Sequence, residues 1–418
     1  MEKLKLAIIG SGISGMAVSW LLNKEHEIDL YEKNNYIGGH SNTATINYNG
    51  KEIAVDTGFI VFNHQTYPNL KALFELLNVK TKSSNMSFAA SIDDGKIEYS
   101  GQSLAAVFCQ KKNIFNWKFL MMLLDIFKFN KNAKNIMESS ENPSLEQFLD
   151  DLKMGNYFRK FYLLPMASAI WSCPLEVIKN YPAKSLVRFF INHGLLSVTN
   201  QPQWYTVEGG SKEYVKLLCN DFRDRIFLNS KIEKIKKLPD GKLEVSGKIY
   251  DKVVLACHSN QSLELIDEFS DETKNLLKKI RYQKNIATLH FDENLMPKNK
   301  KAWASWNYLK NCKDQQNQGL ILTYWMNLLQ GIDENYPLFV TLNASHKIDP
   351  KKIFAQFEYE HPIFDSEAVS AQNEFNKIQG LENIYFCGAY LRYGFHEDGL
   401  LSSINVAKKL GAKIPWNN

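Results

Sequence analysis

The 418-residue sequence has no CxxC pair, no internal repeat and no low-complexity segment. Its six cysteines, Cys109, Cys173, Cys219, Cys257, Cys312 and Cys387, stand far apart. That spacing excludes a zinc ribbon and a thioredoxin-type motif, and no metal site is expected. Six cysteines in so long a chain do not form a disulfide framework, so a reducing compartment fits best. Apolar runs are also short. The longest attempt, Phe115 to Phe129, is broken by Asn116, Lys118, Asp125 and Lys128, and no spanning helix is expected. Near the N-terminus a strand-like run, Leu4 to Gly10, gives way to glycines where a signal peptide would need a longer apolar stretch. The expected location is therefore the cytoplasm. Charge is nearly balanced at +5, which argues against nucleic acid as a partner. With 44% hydrophobic and 23% charged residues the chain is globular, with room for two or three domains.

The first thirty residues carry a phosphate-binding pattern. Lys5 to Ile9 is an apolar run suited to a buried parallel strand. Gly10-Ser11-Gly12-Ile13-Ser14-Gly15 follows, and then Met16, Ala17, Trp20, Leu21 and Leu22 recur at helical spacing. A second strand, Ile28 to Tyr31, ends in Glu32. Gly10 permits a tight turn, Gly12 lets the backbone approach a pyrophosphate, and Gly15 lets the helix pack on the strand. The helix N-terminus offers free N–H groups to the phosphates. Glu32 can accept hydrogen bonds from ribose hydroxyls and would repel a 2′-phosphate, which argues against NADP.

Five residues beyond Glu32 the chain reads Ile37-Gly38-Gly39-His40-Ser41, and Asp56-Thr57-Gly58 follows. This arrangement resembles the FAD-binding N-terminus of the flavin-containing amine oxidase superfamily, which includes protoporphyrinogen oxidases and phytoene-type desaturases. That group usually has Arg after the two glycines, where this chain has His40. The C-terminal run completes the resemblance. A strand, Ile384 to Cys387, leads through Gly388-Ala389-Tyr390 to Gly394–Ser403 and a closing helix, Ile404 to Leu410. The resemblance implies that N–H groups near Gly399 to Leu401 point at the flavin N1 and C2 carbonyl. Gly388-Ala389 stands where the superfamily often has Gly-Glu, so Asp398 is a candidate substitute carboxylate. A middle segment, Ser230 to Ile235, would lay the Ile232 backbone against adenine. Before it comes a helix, Ser211 to Phe222; after it comes a hairpin at Asp240-Gly241. The strand Lys252 to His258 follows, with Cys257 as a small core residue.

The implied cofactor is FAD, held by Gly10, Gly12, Ile13, Ser14, Gly15, Glu32, Lys33, Gly38, Gly39, His40, Gly58, Ile232, Ala256, Gly388, Asp398, Gly399 and Leu400. The implied fold class is α/β: a Rossmann-like, glutathione-reductase-like FAD-binding domain interleaved with an α+β substrate domain. The expected parts are 1–75, 205–275 and 371–418 for FAD, and 76–204 with 276–370 for substrate. The first insert reads as helical, with a helix start at Pro143-Ser144; the second reads as strand-rich.

Segments such as Leu322-Thr323-Tyr324-Trp325 and Tyr359-Glu360-His361-Pro362 resemble a bacterial branch associated with lipid modification. The implied reaction is hydride transfer from an apolar acyl or isoprenoid-like substrate to flavin N5, giving desaturation or double-bond isomerisation. Oxygen or an unknown carrier would take the electrons. Oxidation of a small amine, or a flavoprotein subunit without turnover, are the alternatives. Aromatic walls hold the donor C–H and exclude water, with Trp171, Trp303, Trp306, Tyr324, Trp325 and Tyr390 as candidates. In amine oxidases of this group a lysine often holds a water at N5; here Lys284 or Asn285 takes that place, with Asn285 favoured. His396 and His258 are candidates for acid–base work or for structural hydrogen bonds. The catalytic candidates are thus Tyr324, Trp325, Asn285 and His396. Finally, Lys111 to Lys134 holds six lysines, one acid and many apolar residues. Such a stretch reads either as a peripheral contact with the inner face of a membrane or as a core helix with a solvated lysine face.

Overall fold

The structure, a computed structural model, describes residues 2–171, 175–192, 194–196, 201–266, 268–310 and 321–416. Cys173 and Cys312 lie outside them. Alternation along Lys5–Ile9 places the strand at the centre of a sheet. Leu6 and Ile8 enter one core cluster, Ala7 and Ile9 another, and all four are buried. A strand apolar on both faces must be covered on both, which is the parallel-sheet condition. The sheet has five strands, all parallel, in the order Ile226–Phe227, Glu27–Tyr31, Lys5–Ile9, Lys252–Leu255, Ile384–Phe386. The Ile13–Leu22 helix covers one face and the His396–Lys409 helix packs onto it.

The second sheet has seven strands. Their order is Ile353–Pro362, Tyr282–His290, Phe339–Leu342, Ile321–Trp325, Trp306–Lys310, Phe88–Ile92, Ile97–Ser100. The last two strands come from the first insert. Phe88–Ile92 pairs in parallel with Trp306–Lys310, Trp306 opposite Phe88. The two inserts therefore share one sheet. Thr81–Ser84 of the first insert pairs with Trp204–Val207 in a small separate sheet, and most of the other described residues of that insert are helical. Ser144 caps Leu145–Asp151, its Oγ accepting from Gln147 N–H, and Gln147 closes the capping box. Asp240-Gly241 turns a hairpin between Ile235–Lys237 and Leu243–Val245, with Gly241 at φ +83°.

Two helices differ from expectation. The middle one spans Lys212–Cys219 and then tightens into a 3₁₀ turn in which Phe222 is not helical. The last one starts at His396, eight residues before Ile404. Gly394 at φ +91° makes the entry turn, and Glu397 and Asp398 in the first turn favour a helix N-terminus. Among the described residues no helix is long and apolar enough to cross a membrane.

Candidate cofactor groove and active site

The glycine loop is built by steric need at each position. Gly10 has φ +102°, and a Cβ there would sit 2.9 Å from the Ala256 carbonyl oxygen. A Cβ on Gly15 would sit 1.7 Å from the Gly10 carbonyl oxygen. Gly12 is the opposite case: a Cβ there would meet nothing within 4 Å. Open space lies over Gly12, at the N-terminus of the Ile13–Leu22 helix, whose first N–H groups lack intrahelical partners. The Gly38-Gly39 turn closes over this loop. Gly38 N–H donates to Ser11 O at 2.9 Å, and Gly39 packs on Gly12 Cα. Glu32 is buried, and its carboxylate accepts from Ser11 N–H (3.0 Å), Ser11 Oγ (2.6 Å) and Asn34 N–H (2.9 Å). Those bonds fix its direction and leave lone pairs for further donors. Lys33 is exposed. Ile232 is buried in the unpaired stretch between two strands. Its backbone N–H and C=O have no partner among the described residues, which suits a ligand edge there.

Both ends of the chain meet at this loop. Ser14 Oγ donates to Gly399 O at 3.1 Å, and Ser403 Oγ donates to Ser14 O at 2.8 Å. Leu400 is fully buried in the core behind them. Gly399 is a contact between helices, because its Cβ would lie 2.9 Å from both Ile13 Cγ2 and Ser14 Oγ. Its N–H is spent on Phe395 O. The free N–H groups of this helix are therefore those of His396, Glu397 and Asp398, one turn earlier than expected. The Asp398 carboxylate turns back on the chain and accepts from Phe395 N–H (3.0 Å) and Tyr393 N–H (3.3 Å). Gly388 N–H donates to Ser402 Oγ. Gly399→Ala should lower stability by about 1–3 kcal/mol through this overpacking, read as a lower urea midpoint at unchanged slope; an unchanged midpoint would contradict the contact.

Beyond the glycines the groove runs into a cluster of imidazoles. Gly58 admits the loop, since a Cβ there would fall 2.3 Å from His40 O. The His40 ring stacks on Tyr359 at 4.9 Å and lies 5.3 Å from His361 and 6.2 Å from His258. His40 Nε2 is buried and has no partner among the described residues. Burial, then the neighbouring histidines, hold His40 well below the ordinary imidazole range. Asn285 is fully buried. Its Oδ1 accepts from Asn343 Nδ2 at 2.7 Å, so its Nδ2 donates to His361 Nδ1 at 2.9 Å. A neutral His361 therefore carries its proton on Nε2. Lys284 faces outward and pairs with Glu358 at 3.0 Å. His258 stacks on Tyr282 at 4.6 Å and bonds Glu360 at 3.3 Å. His396 lies flat on Phe59 at 3.8 Å, and its Nε2 is 2.9 Å from both Ser41 Oγ and Tyr214 OH, which also bond each other.

Burial, then the His258 charge, pushes His361 down to about 4. Unfolded, it titrates near 6.5. The folded state thus binds fewer protons between those values. Its contribution to stability is complete above pH 6.5 and is lost as pH falls toward 4. His361→Gln removes this titration and leaves an acceptor for Asn285. The variant should lose roughly 3 kcal/mol less than the parent between pH 6.5 and 4, measured by urea unfolding. Parallel curves would contradict the burial of a neutral ring.

The aromatic candidates divide. Trp306 and Tyr324 meet edge to face at 5.1 Å and pack against the apolar cluster that contains Tyr359, the ring under His40. Trp325 packs with Trp303, Phe339 and Met296 in a separate small cluster, and the Trp303 indole donates to Pro297 O. Trp171 packs on Tyr181 and Phe189. Tyr390 is buried beside Phe375. Sequence reasoning passed over Ser41, Phe59 and Tyr214, which hold His396. Tyr359 and His361 were noted only as a family segment. Their spacing of two on one strand, opposite Asn285 and Gln283, puts both on one face.

The arrangement fits an ADP-containing dinucleotide. Open space lies over Gly12, two helix N-termini present free N–H groups, and among the described residues the buried backbone edge at Ile232 and one buried imidazole nitrogen, His40 Nε2, have no partner. Comparisons with known proteins agree at the level of fold. Residues 8–77 match the NAD(P)-binding Rossmann-like domain. No curated protein sequence matches the chain. Solved structures do. A CLA-producing fatty acid isomerase from P. acnes superposes with TM-score 0.68 at 14% identity, over 98% of this chain and 99% of that one. A putrescine oxidase bound to putrescine gives 0.65 at 14%, over 98% and 99%. Cyclohexylamine oxidase from Brevibacterium oxydans IH-35A gives 0.64 at 12%, over 98% and 100%. The chain therefore has, from end to end, the α/β fold of these amine oxidases and of this fatty acid isomerase, and residues 8–77 match a Rossmann-like domain.

Proposed function

We propose that the chain is an FAD-dependent oxidoreductase that acts on an apolar acyl or isoprenoid-like lipid, creating or moving a double bond. The parts 1–75, 205–275 and 371–418 form its cofactor-binding unit, and 76–204 with 276–370 its substrate unit. The observation that carries the substrate reading is the pair Lys284 and Asn285. The lysine is on the surface, while a neutral asparagine holds His361 in the cluster. Amine oxidation through a lysine-held water would need an inward lysine at this position, where Lys284 instead pairs with Glu358 on the surface. The apolar cluster under Tyr359 and Tyr324 supplies a wall for a hydrocarbon chain.

The loop over Gly12 would hold the diphosphate, Glu32 the ribose and Ile232 the adenine edge. When bound, FAD supplies a hydride acceptor at N5. The remaining work belongs to the protein. The N–H groups of His396, Glu397 and Asp398 would offer positive potential to negative charge on a bound flavin. Tyr359, Trp306 and Tyr324 exclude water. His40, neutral and with Nε2 unpartnered, is placed to hold a proton within the site. For desaturation, oxygen or a carrier is the final electron acceptor; moving a double bond returns the hydride to the acyl chain and needs none. The chain works in the cytoplasm.

The test is anaerobic. FAD-loaded protein is mixed with unsaturated fatty acids, and separately with putrescine and cyclohexylamine. The expected result is flavin bleaching, or new conjugated-diene absorbance, with the acyl chains alone. Bleaching by the amines alone would replace this reading with amine oxidation. No reaction with any of them in a flavin-loaded protein would favour a subunit without turnover.

A further inference from the structure

The helix Trp117–Asn132 is apolar on two opposite faces. Phe119, Met122 and Phe129 point into the core and are fully or almost fully buried. The opposite face, Trp117, Leu120, Met121, Leu124 and Phe127, is exposed. The exposure is large: 89% for Phe115 just before the helix, 66% for Trp117, and 60% for both Leu124 and Phe127. Positions 117, 120, 121, 124 and 127 recur at helical spacing, so they form one stripe along a helix about 24 Å long. A single exposed apolar residue needs no explanation; a continuous stripe of this size does.

The charges around the stripe indicate what covers it. Lys111, Lys112, Lys118, Lys128, Lys131 and Lys134 border it, and the one acid, Asp125, accepts from Gly155 N–H. Lys128 donates to the Lys153 carbonyl, and the other five have no carboxylate partner among the described residues. A second copy of the chain docking face to face would set these lysines against their own copies. An anionic bilayer matches both features, with acyl tails for the stripe and lipid phosphates for the lysines.

We infer that this helix is a membrane-docking face, on which the protein lies against an anionic bilayer with the Phe115–Phe127 stripe in the headgroup boundary. The inference deepens the reading above, which makes the substrate a lipid, but the surface itself does not depend on that reaction. The core under the helix also reaches toward the site. Phe119, Met122 and Phe129 share a cluster with Phe189, and Phe189 stacks at 4.8 Å on Phe395, the residue before His396.

The test is co-sedimentation of the full-length, flavin-loaded chain with vesicles at low salt. Vesicles of phosphatidylglycerol mixed with phosphatidylcholine should carry the protein down; phosphatidylcholine alone should carry at least tenfold less. A variant with Trp117→Ser, Leu124→Ser and Phe127→Ser should lose at least tenfold of the binding. So should one with Lys118→Glu, Lys131→Glu and Lys134→Glu, and raised salt should weaken the parent. All six positions are exposed, so both variants should keep the parent's thermal midpoint. No parent sedimentation, equal sedimentation of parent and variants, or a concentration-dependent dimer that the serine variant abolishes while vesicles stay unbound would each overturn the inference. None of these readouts involves turnover, so failure of the docking and failure of the proposed chemistry are separable.

Discussion

Gly12→Trp should purify folded and colourless. Gly12 has φ −66° and ψ −179°, an extended conformation open to any residue. Nothing lies within 4 Å of the position its Cβ would take. Folding therefore makes no demand for glycine here; the demand comes from what occupies the open space. An indole in that space fills the path of the diphosphate and covers the free N–H groups of the following helix. Flavin affinity should fall by at least a thousandfold, with a thermal midpoint close to that of the parent stripped of FAD. Gly12→Ala, smaller by most of that volume, should retain part of the cofactor. A tryptophan variant that keeps its flavin would remove the loop from the cofactor site.

Gly15→Ala should have the opposite profile. Its new methyl would be placed 1.7 Å from the Gly10 carbonyl oxygen and 3.3 Å from Ala256 Cβ. The first neighbour is backbone and has no rotamer to yield. The helix must lift from the central strand, and with it the contacts of Met16 and Leu400 in the shared core. The cost should be about 3 kcal/mol or more, beyond ordinary overpacking because the clash is with main chain. That is a large share of a domain's stability. Chemical denaturation should show a strongly lowered midpoint, or the protein should be insoluble. Two glycines three residues apart would then separate cleanly, one required by the ligand and the other by the fold. Unchanged stability in Gly15→Ala would contradict the packing described here.

The strand, glycine loop, helix and acid of residues 5–32 were legible because every step is local. Apolar runs, a tight turn and a helical stripe are each set by neighbours in sequence. Lys284 and Asn285 were also legible as a pair, since on a strand one must point in and the other out, though sequence alone does not fix the register. The C-terminal helix was harder. Gly399 looks like a turn residue but stands inside the helix, where absence of a side chain lets Ser14 and Ile13 approach. Packing overrode propensity there. Asp398 turns one carboxylate oxygen, Oδ2, back onto the N–H groups of Phe395 and Tyr393 at the start of its own helix.

The histidine cluster could not be read at all as a cluster. His40, His258, His361 and His396 come from four distant segments that meet only in the folded chain. The parallel pairing of Phe88–Ile92 with Trp306–Lys310 is equally non-local. The lysine-rich segment left two readings open. In the structure one face of the helix enters the core and the other is exposed.

The central claim is that the two ends of the chain close on one FAD. Its most direct measurement is the cofactor content of the purified protein after incubation with FAD and removal of excess, read by absorbance and by identifying the nucleotide released on denaturation. The account predicts a yellow protein with one FAD per chain in the parent and none in Gly12→Trp. A parent that stays colourless, or that releases a nicotinamide dinucleotide in place of FAD, would contradict it.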